Sequence, residues 1–287
     1  MKKLSFSLSL ILAFLVVTTS IFAGDKNISA KEFSSLRKAN KKLIVVDARK
    51  ATDYAKRHVM KAINIPYADL NKEGPVAGIL KDANELAAYF AKKGISNDSK
   101  IVIYDDGSSK YNSRVYWALK YAGATDVSLL HRDMNKWKIA RIPMTASKTM
   151  VKKGNFVAKA NTSILAEMEA VHAASKNGSA ILVDVRDVSE YNGTSERSDG
   201  HIPGAINIPY TEFLKANGSF KINEEIKALS DKAGLKPEKE IIVYCASSVR
   251  ASVAYFALTN ILGFKNVKAY DGAYNEWISV SGNPISK

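Results

Sequence analysis

Cys245 is the single cysteine among 287 residues, and its neighbours mark it as a reactive thiol. A chain with one cysteine can hold no internal disulfide, so the residue is either a small apolar filler or a chemical group. Ile241-Ile-Val-Tyr244, immediately before it, is the continuous apolar run expected of a parallel strand buried on both faces. From Arg250 onward Val253, Phe256, Ala257 and Ile261 recur at helical spacing, and Gly263 stands where a left-handed cap would close the helix. Cys245-Ala-Ser-Ser-Val-Arg250 therefore joins the carboxyl end of a strand to the amino end of a helix, the edge where open α/β sheets collect their sites. Successive backbone N–H groups in such a loop curl into an anion-binding nest, reinforced by the helix dipole. Donors so placed favour a thiolate over a thiol. The small residues Ala246, Ser247 and Ser248 let the backbone come close to whatever the sulfur carries.

The elements that hold this loop occur twice. His58-Val-Met-Lys-Ala-Ile-Asn-Ile-Pro-Tyr67 and His201-Ile-Pro-Gly-Ala-Ile-Asn-Ile-Pro-Tyr210 share seven of ten residues at an offset of 143. Ile101-Val-Ile-Tyr104 pairs with Ile241-Ile-Val-Tyr244, and Trp137 with Trp277, at an offset of 140. Ile44-Val-Val-Asp-Ala-Arg49 pairs with Ile181-Leu-Val-Asp-Val-Arg186 at 137. Order is kept while the offset drifts, as loop-length changes between two copies of one domain produce. Ile44–Val46, Ile101–Tyr104, Ile181–Val183 and Ile241–Tyr244 read as buried strands. Glu85–Lys93, Ile164–Ala174 and Glu224–Lys232 read as amphipathic helices, with Gly94 and Gly234 as C-terminal caps after two of them. The pattern predicts an α/β protein of two tandem domains, each a parallel sheet with helices on both faces. Residues 25–148 form the first, 149–160 a Lys-rich linker and 161–287 the second.

Residues 1–23 have the grammar of a secretory signal: Lys2 and Lys3, the apolar run Leu8–Val17, then Ser20-Ile-Phe-Ala23 with a small residue at the cleavage point. The run is too short and too interrupted by Ser and Thr for a membrane span, so no stable anchor is expected after cleavage. A periplasmic or secreted protein is the expectation. Removing the two lysines lowers the formal net charge from +14 to +12. The excess is spread along the chain rather than packed into a block, which argues against a nucleic-acid partner and leaves a general attraction for small anions.

Five segments together resemble the rhodanese superfamily in its tandem arrangement, that of thiosulfate and mercaptopyruvate sulfurtransferases. They are Leu182-Val-Asp184-Val-Arg186, Glu190-Tyr-Asn-Gly193, Gly200-His-Ile-Pro-Gly-Ala-Ile-Asn-Ile-Pro209, Cys245-Ala-Ser-Ser-Val-Arg250, and Tyr270-Asp-Gly272 with Trp277. The resemblance runs from about Lys31 to Ile285. It implies that Cys245 takes a sulfane sulfur from a small anionic donor (thiosulfate, mercaptopyruvate or polysulfide), becomes a persulfide, and yields the sulfur to cyanide or a thiol. It implies substrate contacts from Ala246, Ser247, Ser248, Val249 and Arg250, with Arg186 and Glu190 beside them, and no metal or organic cofactor. Arg186 has a second reading, as the partner of an acidic neighbour. Asp47, Asp184, His58, His201, Trp137 and Trp277 read as scaffold.

Three departures from the pattern matter. Asp105 aligns with Cys245, and a carboxylate forms no persulfide, so the first domain is expected to be silent and to wall the cleft of the second. Ser248 stands where resembling loops carry Gly, which restricts a left-handed turn. Glu190 stands where many tandem thiosulfate enzymes carry Arg, which predicts weak use of dianionic thiosulfate. Two rival functions remain: a persulfide carrier serving one partner protein, and a cysteine phosphatase. The phosphatase loop needs five residues between Cys and Arg, and here Cys245 and Arg250 enclose four.

Overall fold

The computed structural model describes residues 25–287. The expected leader, residues 1–23, lies outside the described residues. The first half contains strands β1 (Asn27–Ile28), β2 (Ile44–Asp47), β3 (His58–Val59), β4 (Ile63–Asn64), β5 (Lys100–Tyr104), β6 (Asp126–Leu130) and β7 (Met144–Thr145). The second contains β8 (Leu165–Ala166), β9 (Ile181–Asp184), β10 (Ile206–Asn207), β11 (Ile241–Tyr244) and β12 (Val267–Tyr270). Two five-stranded sheets form, in the orders β1-β6-β5-β2-β4 and β8-β12-β11-β9-β10, and every pairing within them is parallel. The identical order is the structural image of the sequence repeat. Strands β3 and β7 pair antiparallel beside the first sheet.

The four apolar runs are interior strands, as burial on both faces requires, and β6 and β12 complete the interior of each sheet. Ile241, Ile242, Val243 and Tyr244 are all fully buried. The flanking helices begin and end where their capping residues dictate. Helix Ala83–Lys92 opens on a reciprocal Asp82/Glu85 capping box, and Gly94 follows it at a φ of +85°. One expectation is corrected: Ile164–Ala174 is not a single helix. Leu165 and Ala166 pair with Ala269 and Tyr270 as the edge strand, and the helix is Met168–Asn177. A two-residue strand is too short to display a period of its own, so the following helical pattern hid it.

The linker is a packed strap on the first domain. Gly154 N–H donates to Ala91 O (2.8 Å), Lys159 N–H to Ala122 O (3.0 Å) and Asn161 N–H to Tyr121 O (2.7 Å). Phe156 is buried against Phe90. One apolar core runs through both domains, containing Val46, Ile103 and Trp117 from the first and Val243, Cys245 and Phe256 from the second. Helices Lys110–Ala122 and Ala251–Phe256 pack together at its centre. Tyr116 meets Phe256 edge-on at 4.9 Å, and its hydroxyl lies 3.0 Å from Asn260 Oδ1.

Candidate active site

Chain order reverses between β9 and β11. The connection after β9 leaves toward β10 on one side, and the connection after β11 leaves toward β12 on the other. A crevice opens at such a reversal, outside the carboxyl ends of the two strands. Cys245 follows β11 directly, and Glu190 lies in the short helix Val188–Tyr191 after β9. The fold thus brings together two residues that are far apart in sequence.

The conformation of the cysteine loop is held from behind. Tyr274 N–H donates to Cys245 O (2.9 Å) and Asn275 N–H to Ala246 O (3.1 Å). In a trans peptide the N–H points opposite to the carbonyl, so these bonds turn the amides of Ala246 and Ser247 away from helix Ala273–Ser279. Among the described residues, no protein group accepts from the N–H groups of Ala246 to Arg250. Ser248 takes the left-handed conformation, φ +62°, despite its side chain. Its Oγ donates to Tyr270 O (3.0 Å), and its carbonyl accepts from both Ser252 Oγ (3.0 Å) and Ser252 N–H (3.2 Å). These bonds offset the roughly 1–2 kcal/mol that a left-handed non-glycine costs. The loop therefore adopts the turn that its serine disfavours. Cys245 itself is only 1 % exposed, on the floor of the loop.

Arg250 and Glu190 form a bidentate pair across the crevice, Nη1 to Oε2 at 2.5 Å and Nη2 to Oε1 at 2.8 Å. Asp187 Oδ2 lies 3.4 Å from the same Nη1. Burial alone would lower the Arg250 pKa, but the Glu190 hydrogen bond and the nearby Cys245 charge hold it above the ordinary value. Burial alone would raise Glu190, and Arg250 reverses this to leave the carboxyl below its ordinary range. Both groups are therefore charged at neutral pH, and their charges largely cancel beside the cysteine.

Arg186 is not brought to the site. Its Nε donates to both oxygens of Asp184 at 3.0 Å, Nη1 to Ser198 Oγ (2.8 Å) and Nη2 to Gly200 O (2.8 Å), with its face on Tyr274 at 3.8 Å. Every face of the guanidinium is used inside the scaffold, so the expected substrate contact gives way to the acidic-neighbour reading. Arg49 pairs with Asp47 in the same way in the first domain. His201 and His58 are equally occupied, stacked on Tyr191 and Tyr54 at 3.7 Å with Nδ1 against the same tyrosine's carbonyl. Trp137 and Trp277 are buried core.

In the first domain Asp105 occupies the place of the sulfur. One carboxylate oxygen accepts from Gly107 N–H (2.8 Å), and the other from Tyr111 N–H (3.1 Å), Asn112 N–H (3.4 Å) and Ser108 Oγ (3.3 Å). The loop's donors thus point at a resident anion. Burial, more than the hydrogen bonds that oppose it, pushes the Asp105 carboxyl up to about 6. The left-handed serine of this loop is Ser109 rather than Ser108, so the aspartate loop is one residue longer than the cysteine loop.

Each domain covers the other's loop. A Cβ on Gly78 would lie 2.6 Å from Ser247 Cβ, and one on Gly218 would lie 2.0 Å from Gly107 O. Arg114, fully buried, fixes the first contact by donating to Gly78 O (2.7 Å) and pairing with Asp271 Oδ1 (2.7 Å), while Leu80 N–H donates to Asp271 Oδ2 (2.8 Å). Gly78 and Arg114 were not singled out from the sequence. The available signal was an arginine set in the apolar stretch Val115-Tyr-Trp-Ala-Leu119, where a charge needs a partner.

Comparison with known proteins agrees with the two-domain fold. The rhodanese-like domain family matches residues 29–140 and again 167–279. A protein of Mycolicibacterium smegmatis, provisionally named a thiosulfate sulfurtransferase, is 35 % identical over 260 residues, covering 86 % of this chain and 92 % of its own. The sulfur carrier protein TtuD of Thermus thermophilus is 35 % identical over 227 residues, covering 74 % and 80 %. Among solved structures, the 3-mercaptopyruvate sulfotransferase SseA of Escherichia coli superposes with a TM-score of 0.78 at 27 % identity, covering 86 % of this chain and 98 % of that one.

Proposed function

The chain belongs to the rhodanese family, with two copies of its domain, and from that premise we propose that it is a sulfurtransferase working through a Cys245 persulfide. The thiolate attacks the sulfane sulfur of the donor. An S–S bond forms to Cys245, and the donor's own bond to that sulfur breaks, its electron pair leaving on sulfite from thiosulfate. From mercaptopyruvate the pair leaves on carbon, which takes a proton to give pyruvate. In the second half-reaction cyanide or a thiolate attacks the outer sulfur, and the pair returns to Cys245. The amides of Ala246 to Arg250 hold the anionic persulfide, each charge-assisted bond contributing roughly 1.5–3 kcal/mol.

The observation that carries this reading is the contrast between the two loops. In the first domain the loop's donors are taken by the Asp105 carboxylate. The corresponding face behind Cys245 is left to what the sulfur carries. The Arg250 guanidinium is turned toward Glu190 rather than over the loop, which speaks against a phosphoryl-binding role. The pairing of Arg250 with Glu190 cancels the cation beside Cys245, favouring a monoanionic or polysulfide donor over thiosulfate. Cys245→Ser is expected to abolish turnover with every donor, and wild type treated with donor to gain the mass of one sulfur. Retained activity in the serine variant would overturn the mechanism. The likeness to a sulfur carrier supports a second reading, in which the persulfide passes to one protein; loading without turnover on cyanide or small thiols would select it.

A further inference from the structure

We propose that Lys110, contributed by the silent domain, binds the oxyanion end of the sulfur donor while Cys245 attacks the other end. The shared chemistry is a sulfonate or carboxylate tail, and the proposal rests on the sulfurtransferase reading.

The internal repeat gives the first ground. Ser109 and Ser248 are both left-handed at φ +58° and +62°, and each accepts at its carbonyl from a serine hydroxyl four residues on, Ser113 and Ser252. They are equivalent positions, so Lys110 holds in the silent loop the place that Val249 holds beside the cysteine. It opens helix Lys110–Ala122, which packs on helix Ala251–Phe256 of the catalytic domain. The two loops thus open a pair of helices that pack on each other across the domain boundary.

The second ground is where the ammonium lies. It leaves its own domain and sits 5.9 Å from the ring centroid of Tyr210, with Tyr111 on its other side at 5.4 Å. Tyr210 N–H donates to Val185 O (3.0 Å), and Val185 N–H to the carbonyl of Tyr244 (2.9 Å), the residue preceding Cys245. The turn Tyr210–Phe213 also packs on the helix that follows the cysteine loop. The cation therefore stands on the wall of the cleft that Cys245 floors.

The third ground is charge accounting. Arg186 is neutralised by Asp184, Arg114 by Asp271 and Arg250 by Glu190. Lys110 forms no ion pair among the described residues. Of the acids nearest in sequence, Asp106 is exposed and accepts from Ser108 N–H (3.0 Å), Asp105 is buried within its loop, and neither pairs with the ammonium. An ammonium on an aromatic wall, half-shielded from water, offers its N–H donors to an incoming anion. A single ammonium suits one negative tail, which agrees with a monoanionic donor.

The test uses Lys110→Gln and Lys110→Arg in the full chain. With thiosulfate or mercaptopyruvate as donor and cyanide as acceptor, the Gln variant should raise KM about five- to tenfold with kcat changed less than about twofold, the size of one partly solvated charge-assisted contact. The Arg variant should recover most of the loss. The rate at which cyanide discharges preloaded persulfide should not move. Direct binding keeps the outcome independent of turnover: in a Cys245→Ser background, the calorimetric Kd for thiosulfate should weaken by the same factor on Lys110→Gln. Unchanged KM and Kd overturn the proposal, as does an Arg variant no better than Gln, or an effect confined to kcat. Should wild type fail to turn over any donor, the sulfurtransferase reading falls, and Lys110 is then decided by the binding comparison, where absent or undiminished thiosulfate binding refutes it.

Discussion

Glu190→Gln tests the electrostatic account of donor choice most sharply. The substitution keeps the shape of the side chain and an oxygen for one Arg250 hydrogen bond, but removes the charge that cancels Arg250. At about 6 Å and an effective dielectric near 20, one unit-charge pair is worth roughly 3 kcal/mol. Arg250 is 19 % exposed at its side chain, and solvent screening reduces the figure to about 1 kcal/mol per donor charge. Monoanionic mercaptopyruvate then gains about fivefold in kcat/KM and dianionic thiosulfate about thirtyfold. Thiosulfate thus improves about sixfold relative to mercaptopyruvate. The assay is steady-state turnover of both donors with cyanide as acceptor, at low and high salt, and the gain should shrink as salt rises. Equal responses from the two donors, or a fall with thiosulfate, would show that Arg250 serves only to hold Glu190, and the reasoning would fail.

Further outcomes follow from the same geometry. Gly78→Ala places a side chain at φ +97° and 2.6 Å from Ser247 Cβ; it should cost about 2–4 kcal/mol of stability and at least about tenfold in kcat/KM, and a variant with wild-type Tm and activity would refute the capping role of the first domain. Asp105 ionises with difficulty in the fold, about 6 against an ordinary 3.8, so its burden is full above pH 6 and relieved as pH falls toward 4. Wild type should therefore gain roughly 1 kcal/mol relative to Asp105→Ala between pH 7 and pH 5, read from urea midpoints, and a flat or opposite difference would count against the assignment. We also propose export: the mature chain should begin near Gly24 by intact-mass analysis outside the cytoplasm, and native protein retaining Met1 would contradict it.

The sequence alone disclosed the chemistry better than its supports. Cys245 stood out because a lone thiol followed an apolar strand and preceded a helix, and Asp105 because the repeat aligned it with that thiol. The central strands were legible for a related reason: a run buried on both faces must be apolar throughout. What stayed hidden were pairings across the fold. Arg250 and Glu190 lie on connections after different strands, and nothing local says that they meet. Arg186 lies two residues from Asp184, on the same face of an extended chain but about 7 Å along it; only the bend after β9, where Arg186 N–H donates to Asp184 Oδ1, brings the guanidinium onto the carboxylate. Ser248 looked like an obstacle to the loop because its compensating bonds to Tyr270 and Ser252 belong to other elements. Lys110 gave no signal, since a lysine at a helix start reads as solvated surface until a second domain is laid against it.

The reciprocal covering of the two loops has a consequence for inheritance. A duplicated domain whose site has decayed would ordinarily be free to drift or be lost. Here the first copy supplies Gly78 and Arg114 over the cysteine loop, and the second places Gly218 over the aspartate loop. A single core passes between them. Deleting either half would uncover the loop of the other. Asp105 places a carboxylate where the other loop places a sulfur, and a cysteine set there would meet a loop longer by one residue.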